Sequence, residues 1–166
     1  MDIRAARAEE LPAVQVIDRA AGLMFCYVGM PEIAGFLWPA EMLAAHLEAG
    51  QLWVIAGEDG EPAGFLIADL LDGCWHVEQV SVHPARARRG LGRALLDHAA
   101  VRAMAAGYPA VTLTTFADVP WNAPYYARCG FRVIGDAEVT QGLRAVRERE
   151  AAGLDRWPRV CMRRDL

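Results

Sequence analysis

The sequence predicts an α/β protein, mixed in the α+β sense, with a central sheet of about six to seven strands and helices on both faces. Three observations carry this. Short β-branched runs alternate with segments whose apolar residues recur at helical spacing. Two turn signals, E-D-G-E-P at 58–62 and Asp72-Gly73, separate consecutive β runs and read as the bends of an antiparallel meander. The run V-E-Q-V-S-V-H-P-A-R-A-R-R-G-L-G-R-A-L-L at 77–96 then leaves a strand through glycines into an Ala/Leu-rich helix, and another strand follows, as in a parallel crossover. A chain of 166 residues reads as one domain, residues 1–166, with a core that needs neither disulfide nor metal.

In order, Ile3–Ala6 reads as a short edge strand. Glu9–Ala21 reads as a helix with Leu11, Val14, Ile17 and, less regularly, Ala21 on its apolar stripe. Gly22–Gly35 is apolar and aromatic yet broken by Gly22, Gly29, Pro31 and Gly35, and reads locally as a helix–helix connection packed on the core. A second helix spans Pro39–Ala49 and stops at Gly50. Gln51–Ala56 and Ala63–Leu71 form the hairpin, and Cys74–Val82 is the third strand of the meander and the centre of the sheet. The helix from Leu91 ends near Ala106, before Gly107, and the strand Ala110–Phe116 follows. After a loop at Ala117–Pro120, Asn122–Arg128 is a short helix with Pro124 in its first turn, where proline is tolerated. Phe131–Ile134 is the next strand. In the tail, Val139, Leu143 and Val146 share a helical face, Arg144 and Glu148 stand as an i,i+4 pair, and Gly153 suits the helix end. Pro158 precedes a final strand, R-V-C-M-R-R. There is no repeat, low-complexity stretch or linker.

Composition narrows the function classes. Hydrophobic residues make up 54% of the chain, but no apolar run approaches the roughly 18 residues of a membrane span, so no membrane partner is expected. The opening M-D-I-R-A-A-R-A-E-E has no apolar leader, which points to the cytoplasm. Cys26, Cys74, Cys129 and Cys161 lack C-x-x-C spacing, so free thiols are expected, with no metal site. The formal net charge of −4 makes the arginine-rich loop a local basic patch, which argues against nucleic acid.

That patch is suited to an anion. A strand that turns through glycine into a helix start brings free backbone N–H groups and the positive end of the helix dipole together. Arg86, Arg88, Arg89 and Arg93 add fixed positive charge. A nucleoside-triphosphate loop would need G-x-x-x-x-G-K-[ST], and the sequence has no lysine. A dinucleotide fingerprint would need a third glycine where Leu95 stands, after an opening βαβ unit that the preceding chain does not supply. The remaining reading is by resemblance. V-H-P-A-R-A-R-R-G-L-G at 82–92 resembles the pyrophosphate loop of the GNAT superfamily of acyl-CoA-dependent N-acyltransferases, Gln/Arg-x-x-Gly-x-Gly/Ala after a V-x-P strand end. It departs at Ala87, where the family has Gln or Arg, and Arg86 or Arg88 stands beside the gap. W-N-A-P-Y-Y-A-R-C-G-F at 121–131 resembles the family's N-x-x-x-[FY]-Y-x-x-x-G-F segment. The resemblance covers residues 51–134 and extends to the rest by element order.

The resemblance implies a GNAT fold whose sheet opens in a V between Cys74–Val82 and Ala110–Phe116. It implies acetyl-CoA as cosubstrate, its pantetheine bonded to backbone around Val80, Ser81 and Val82. The pyrophosphate would lie on Arg88, Arg89, Gly90, Leu91, Gly92 and Arg93, and Asn122 beside the cofactor arm. Tyr126 takes the general-acid position, and Gly22–Gly35 the wall of an acceptor pocket. Dimers are common in the family, so a homodimer is a further implication. Locally, Tyr126 also reads as a core aromatic and Asn122 as a helix N-cap.

The chemistry asks for a base. A lysine-like amine is neutral in only about one molecule in a few thousand at pH 7, a penalty of about 4.6 kcal/mol. Strand alternation puts His76, Glu78, Val80 and Val82 on one face. His76 and Glu78 resemble positions where family members keep paired histidines or a glutamate. Histidine matches neutral pH, whereas glutamate would act through water, and either could instead be a structural polar residue. Glu78 is preferred because it is nearer Val80. His46, His83 and His98 read as structural or exposed. Two functions follow: an N-acetyltransferase acting on a primary amine by direct attack in a ternary complex, or a non-catalytic acyl-CoA-sensing module.

Overall fold

The computed structural model describes residues 2–166; Met1, where the expected domain begins, lies outside the described residues. Twelve regular elements alternate as the sequence predicts: β1 (Ile3–Ala5), α1 (Leu11–Leu23), α2 (Ala40–Glu48), β2 (Leu52–Ala56), β3 (Pro62–Leu71), β4 (Cys74–Val82), α3 (Leu91–Ala105), β5 (Ala110–Phe116), α4 (Ala123–Arg128), β6 (Arg132–Val133), α5 (Gln141–Leu154) and β7 (Arg159–Asp165). The seven strands form one mixed sheet in the order β1-β2-β3-β4-β5-β7-β6. The chain resolves into two compact units, the residues up to Ala68 with Gln79–His98, and Asp69–Glu78 with Ala99–Leu166.

In the first unit, β2 pairs antiparallel with β1 and β3, with Leu52 opposite Ile67 and Val54 opposite Phe65. Alternation turns those four side chains to one face, where they pack on Val14 and Ile17 of α1 and Leu43 of α2. Asp18 of α1 is buried too, and its carboxylate accepts a hydrogen bond from the Trp38 backbone N–H at 2.9 Å. Burial raises its pKa and that bond opposes the rise. The segment after α1 forms two 3₁₀ turns, Met24–Val28 and Pro31–Gly35, the first ending at left-handed Gly29 (φ 73°). Met30 and Ile33 are buried while Tyr27 and Phe36 face outward, so the connection both packs and presents aromatics. The helical stretch Ala8–Val28 is, by length and composition, apolar enough to cross a membrane, which corrects the expectation that no stretch would reach that length.

In the second unit, β5 pairs along all seven residues with β7, Ala110 opposite Asp165 through Phe116 opposite Arg159, and β6 closes the edge through Arg132–Arg163 and Val133–Met162. β4 joins β5 in parallel at Trp75–Val111 and His76–Thr112. α5 docks through Leu143, which packs with Ile134 and Cys161 while Val139 and Leu71 cover them. Its start is tied twice: Thr140 Oγ1 accepts from the Leu143 N–H at 3.4 Å, and Asp72 Oδ2 accepts from the Gly142 N–H at 2.7 Å. Asp72 and Gly73 both have positive φ (50° and 72°), as a two-residue hairpin turn demands. The expected Arg144–Glu148 pair gives way to a different partner, since the Arg144 guanidinium donates to the Asp136 carbonyl at 2.8 Å. Gly153 does not end α5, which continues to Leu154. All four cysteines are free thiols, and only Cys26 is exposed.

Candidate active site

The loop between β4 and α3 belongs to the first unit. His83 leaves β4 with its N–H bonded to the Ala63 carbonyl (2.9 Å) and its Nδ1 accepting from the Ala85 N–H (3.2 Å), which turns the chain at Pro84. Arg86 reaches back to Asp59 in the β2–β3 turn, and Arg89 lies 4.0 Å from Glu58 in the same turn. Arg88 is exposed at φ 62° and Gly90 follows at φ 78°. A bulky residue in the left-handed region is uncommon, and two such positions around one residue coil the backbone into a concave turn. The first bond of α3 runs from the Ala94 N–H to the Gly90 carbonyl (3.0 Å), so the N–H groups of Leu91 and Gly92 precede it. Leu91 is buried beneath the turn, and Gly92 and Arg93 start the exposed side of α3. Behind the loop, Ser81 is buried and accepts from Gln79 Nε2 at 2.8 Å, on the face opposite the half-buried Val80 and Val82. β3 approaches so closely there that a Cβ on Gly64 would lie 2.8 Å from the Ser81 carbonyl oxygen.

The second unit holds both base candidates. His76 is 1% exposed, its Nδ1 is 3.0 Å from Thr112 Oγ1, and its Nε2 is 4.0 Å from Glu78 Oε1. Burial drives its pKa down to about 4; the charges of Glu150 and Asp69 oppose this and Arg149 assists it. It is neutral at pH 7. Glu78 keeps about a quarter of its side chain exposed (24%), so this carboxylate meets solvent while the imidazole does not.

Tyr126 sits on α4, 8% exposed, with Tyr125 and Phe131 edge-on at 5.8 and 6.2 Å between ring centroids. Burial pushes its pKa up to about 12, and the polar Asn122 side chain and the charge of Arg159 hold the rise back. Asn122 occupies the N-cap of α4 but makes no capping bond, so the simple N-cap reading fails. Its Nδ2 lies 3.4 Å from the Trp121 carbonyl, and its Oδ1 is buried without a partner. A buried acceptor without a donor is rare in folded proteins and marks a place where a ligand N–H fits.

The sequence reading missed one polar cluster. Thr114 of β5 donates to Glu150 of α5 at 2.6 Å, and Arg159 of β7 ion-pairs with the same carboxylate at 3.1 Å. Register puts Thr114 and Phe116 on the face of Thr112 and His76, and Arg159 lies opposite Phe116. A six-residue tail strand and one glutamate among four charged neighbours gave no spacing signal. The only hint is Arg159 leading the final strand, where an inward side chain would need an anion.

Residues 23–131 match the Acetyltransferase (GNAT) family, about two thirds of the chain. The chain belongs to that family. Within it, similar proteins include a mycothiol acetyltransferase of Clavibacter michiganensis, 46% identical over 77 residues that make up 46% of this chain and 24% of that one. A peptidyl-lysine N-acetyltransferase of Salmonella typhimurium is 29% identical over 60% of this chain and 62% of its own. The chain thus spans less than two thirds of the length of these curated relatives. Among solved structures, N-acetylglutamate synthase of Neisseria gonorrhoeae, complexed with coenzyme A and N-acetyl-glutamate, superposes at TM-score 0.75 with 17% identity over 99% of this chain and 35% of that one. A Mycobacterium tuberculosis protein in complex with CoA superposes at TM-score 0.74 with 22% identity over 100% and 99%. The GNAT fold, expected from the sequence, is the fold of this chain.

Proposed function

We propose that this chain is an N-acetyltransferase that moves an acetyl group from acetyl-CoA to a primary amine of a small molecule or peptide, by direct attack in a ternary complex. The observation that carries this is Tyr126: a buried, protonated hydroxyl, one helical turn from Asn122, in the family segment that ends at Gly130-Phe131. The coenzyme supplies the thioester. The coiled turn at Arg88–Gly90 and the leading N–H groups of α3 fit a pyrophosphate, with Arg88 as the arginine of the loop that has no partner of its own among the described residues. Asn122 Oδ1, a buried acceptor without a partner among the described residues, fits an amide N–H of the coenzyme.

A tyrosine of pKa about 12 does not hand its proton outright to a thiolate. With a thiol near 8.5, complete transfer would be uphill by about 5 kcal/mol, so Tyr126 donates a hydrogen bond that strengthens as charge grows on sulfur. Glu78 is the base, taking the amine proton through water, because it alone of the pair meets solvent. His76, neutral and held against Thr112, fixes the carboxylate's strand from beneath. The relatives are named for different substrates, mycothiol and peptidyl-lysine, so their names assign no single acceptor to this chain.

Free-thiol release from acetyl-CoA across a panel of amines tests the reading, with Tyr126→Phe as control. Amine-dependent release is expected. Acetyl-CoA binding without release for any amine would instead make the chain an acyl-CoA sensor.

A further inference from the structure

Arg159 is a charged side chain with only 6% of its surface exposed. Its Nε donates to Glu150 Oε2 (3.3 Å), and its Nη2 donates to Thr114 Oγ1 (3.2 Å) and lies 3.1 Å from Glu150 Oε1. Thr114 donates to Glu150 Oε1, and Arg147 donates to Oε2 at 3.1 Å, so the carboxylate has no room for another donor. The guanidinium carbon stands 4.5 Å from the centre of the Phe116 ring. Two edges and one flat face of this guanidinium are therefore fixed, and it leans from β7 over β5.

Nη1 takes part in none of these bonds, and 6% of the side chain remains exposed. Its two N–H groups form the free edge of a cation whose orientation is already set. A structural tie between α5 and β5 needs only the other two edges. The position matters as well. Phe116 ends β5 just before the loop to α4, on the face that carries His76, Glu78 and Thr114.

We propose that Arg159 is a specificity-determining residue whose Nη1 edge binds the carboxylate of the acceptor, which makes the acceptor an amino acid rather than a simple amine. This rests on the acetyltransferase reading above. A fixed guanidinium on the reacting face repels an ammonium that has nothing else to offer, whereas an acceptor bearing amine and carboxylate together can place the anion on Arg159 and the amine toward Glu78.

The test uses matched ligands: L-phenylalanine, L-phenylalanine amide and phenethylamine, with a parallel set built on leucine and glutamine. Turnover with acetyl-CoA is measured for each, and binding of each is measured by calorimetry in the presence of CoA. The acids should be preferred by about tenfold or more, through KM, as one charge-assisted contact provides. Arg159→Gln should abolish the preference while acetyl-CoA affinity holds, and Arg159→Lys, which keeps the charge and a bond to Glu150, should retain part of it. If Arg159→Gln fails to fold, the lysine variant and the wild-type ligand series carry the test. Equal handling of acids, amides and amines by the wild type would overturn the proposal and leave the acetyltransferase standing. Absence of all turnover would sink the enzyme reading, and the calorimetric series would then decide Arg159 alone: preferential binding of the acids supports it, none removes it.

Discussion

Tyr126 and Glu78 make separable demands on experiment. Tyr126→Phe deletes one hydroxyl from a ring already packed on Tyr125 and Phe131, so stability and acetyl-CoA affinity should hold. Turnover should fall about 10²-fold, as removal of one positioned proton donor typically does; a variant with wild-type kcat, under conditions where chemistry limits the rate, would end the assignment. For the base, the histidine's pKa of about 4 and near-complete burial remove the limb near pH 6.5 that a catalytic imidazole would give. Stopped assays from pH 5 to 9 should show a limb that follows the acceptor amine when acceptors of different pKa are compared. Glu78→Gln should cost most of kcat/KM. A fixed limb near 6.5 that disappears in His76→Ala would return the role to the histidine.

At the scale of elements, two backbone positions should be unusually intolerant. A Cβ on Gly142 would lie 2.5 Å from Asp72 Oδ2 and 2.7 Å from Leu71 Cδ1, so Gly142→Ala must break the tie that starts α5 or push the β3–β4 turn aside. Since α5 carries Glu150, the expected result is a lower melting temperature together with weaker acceptor binding, while acetyl-CoA affinity measured by calorimetry stays. Gly90→Val acts at the other site: a β-branched residue at φ 78° strains the pyrophosphate turn, so acetyl-CoA affinity should drop by about tenfold or more, with a fall in melting temperature from the strain itself. Unchanged affinity in a folded Gly90→Val protein would remove the loop from the site. These elements were readable to different degrees. Order, strand count and the glycine turn follow from short-range patterns: Leu52 and Val54 against Phe65 and Ile67 is alternation, and Gly90 is a backbone requirement. The tail was not so legible. Arg144 found Asp136 instead of Glu148, and Thr114, Glu150 and Arg159 meet only because β7 returns beside β5 after α5. Periodicity sees neighbours along one element, and that cluster is made by three. Asn122 left two readings open, a cap and a neighbour of the cofactor arm; it stands at the cap position but makes no capping bond.

The molecule as a whole should respond to acid in a way that one residue dominates. His76 has a folded pKa of about 4 against 6.5 for the free side chain, because burial penalises the imidazolium. Between those values the unfolded chain binds a proton that the folded chain does not, so stability rises with pH across the window and is lost as pH falls from about 6.5 toward 4. The shift corresponds to roughly 3 kcal/mol at full extent, a large share of the stability of a protein this size. Glu10, paired with Arg4, and Asp59, Glu138 and Asp165, each hydrogen-bonded to an arginine, have lowered pKa values and weaken the fold only at lower pH, below their unfolded values of 4.5 and 3.8. Asp18 works the other way: its raised pKa means the folded state takes up its proton first, which adds stability as pH falls through that value toward 3.8. Across the interval below 6.5 the histidine therefore lowers stability as pH falls, and the Asp18 carboxyl acts in the opposite sense. Urea unfolding at pH 7.5, 6.5, 5.5 and 4.5 should show a steady fall in the midpoint. His76→Gln, which can still bond Thr112 but does not titrate, should be less stable at pH 7.5 and nearly flat across the series. A wild-type midpoint that stays constant from 7.5 to 4.5 would show that His76 is not held neutral by burial, and would reopen it as the base.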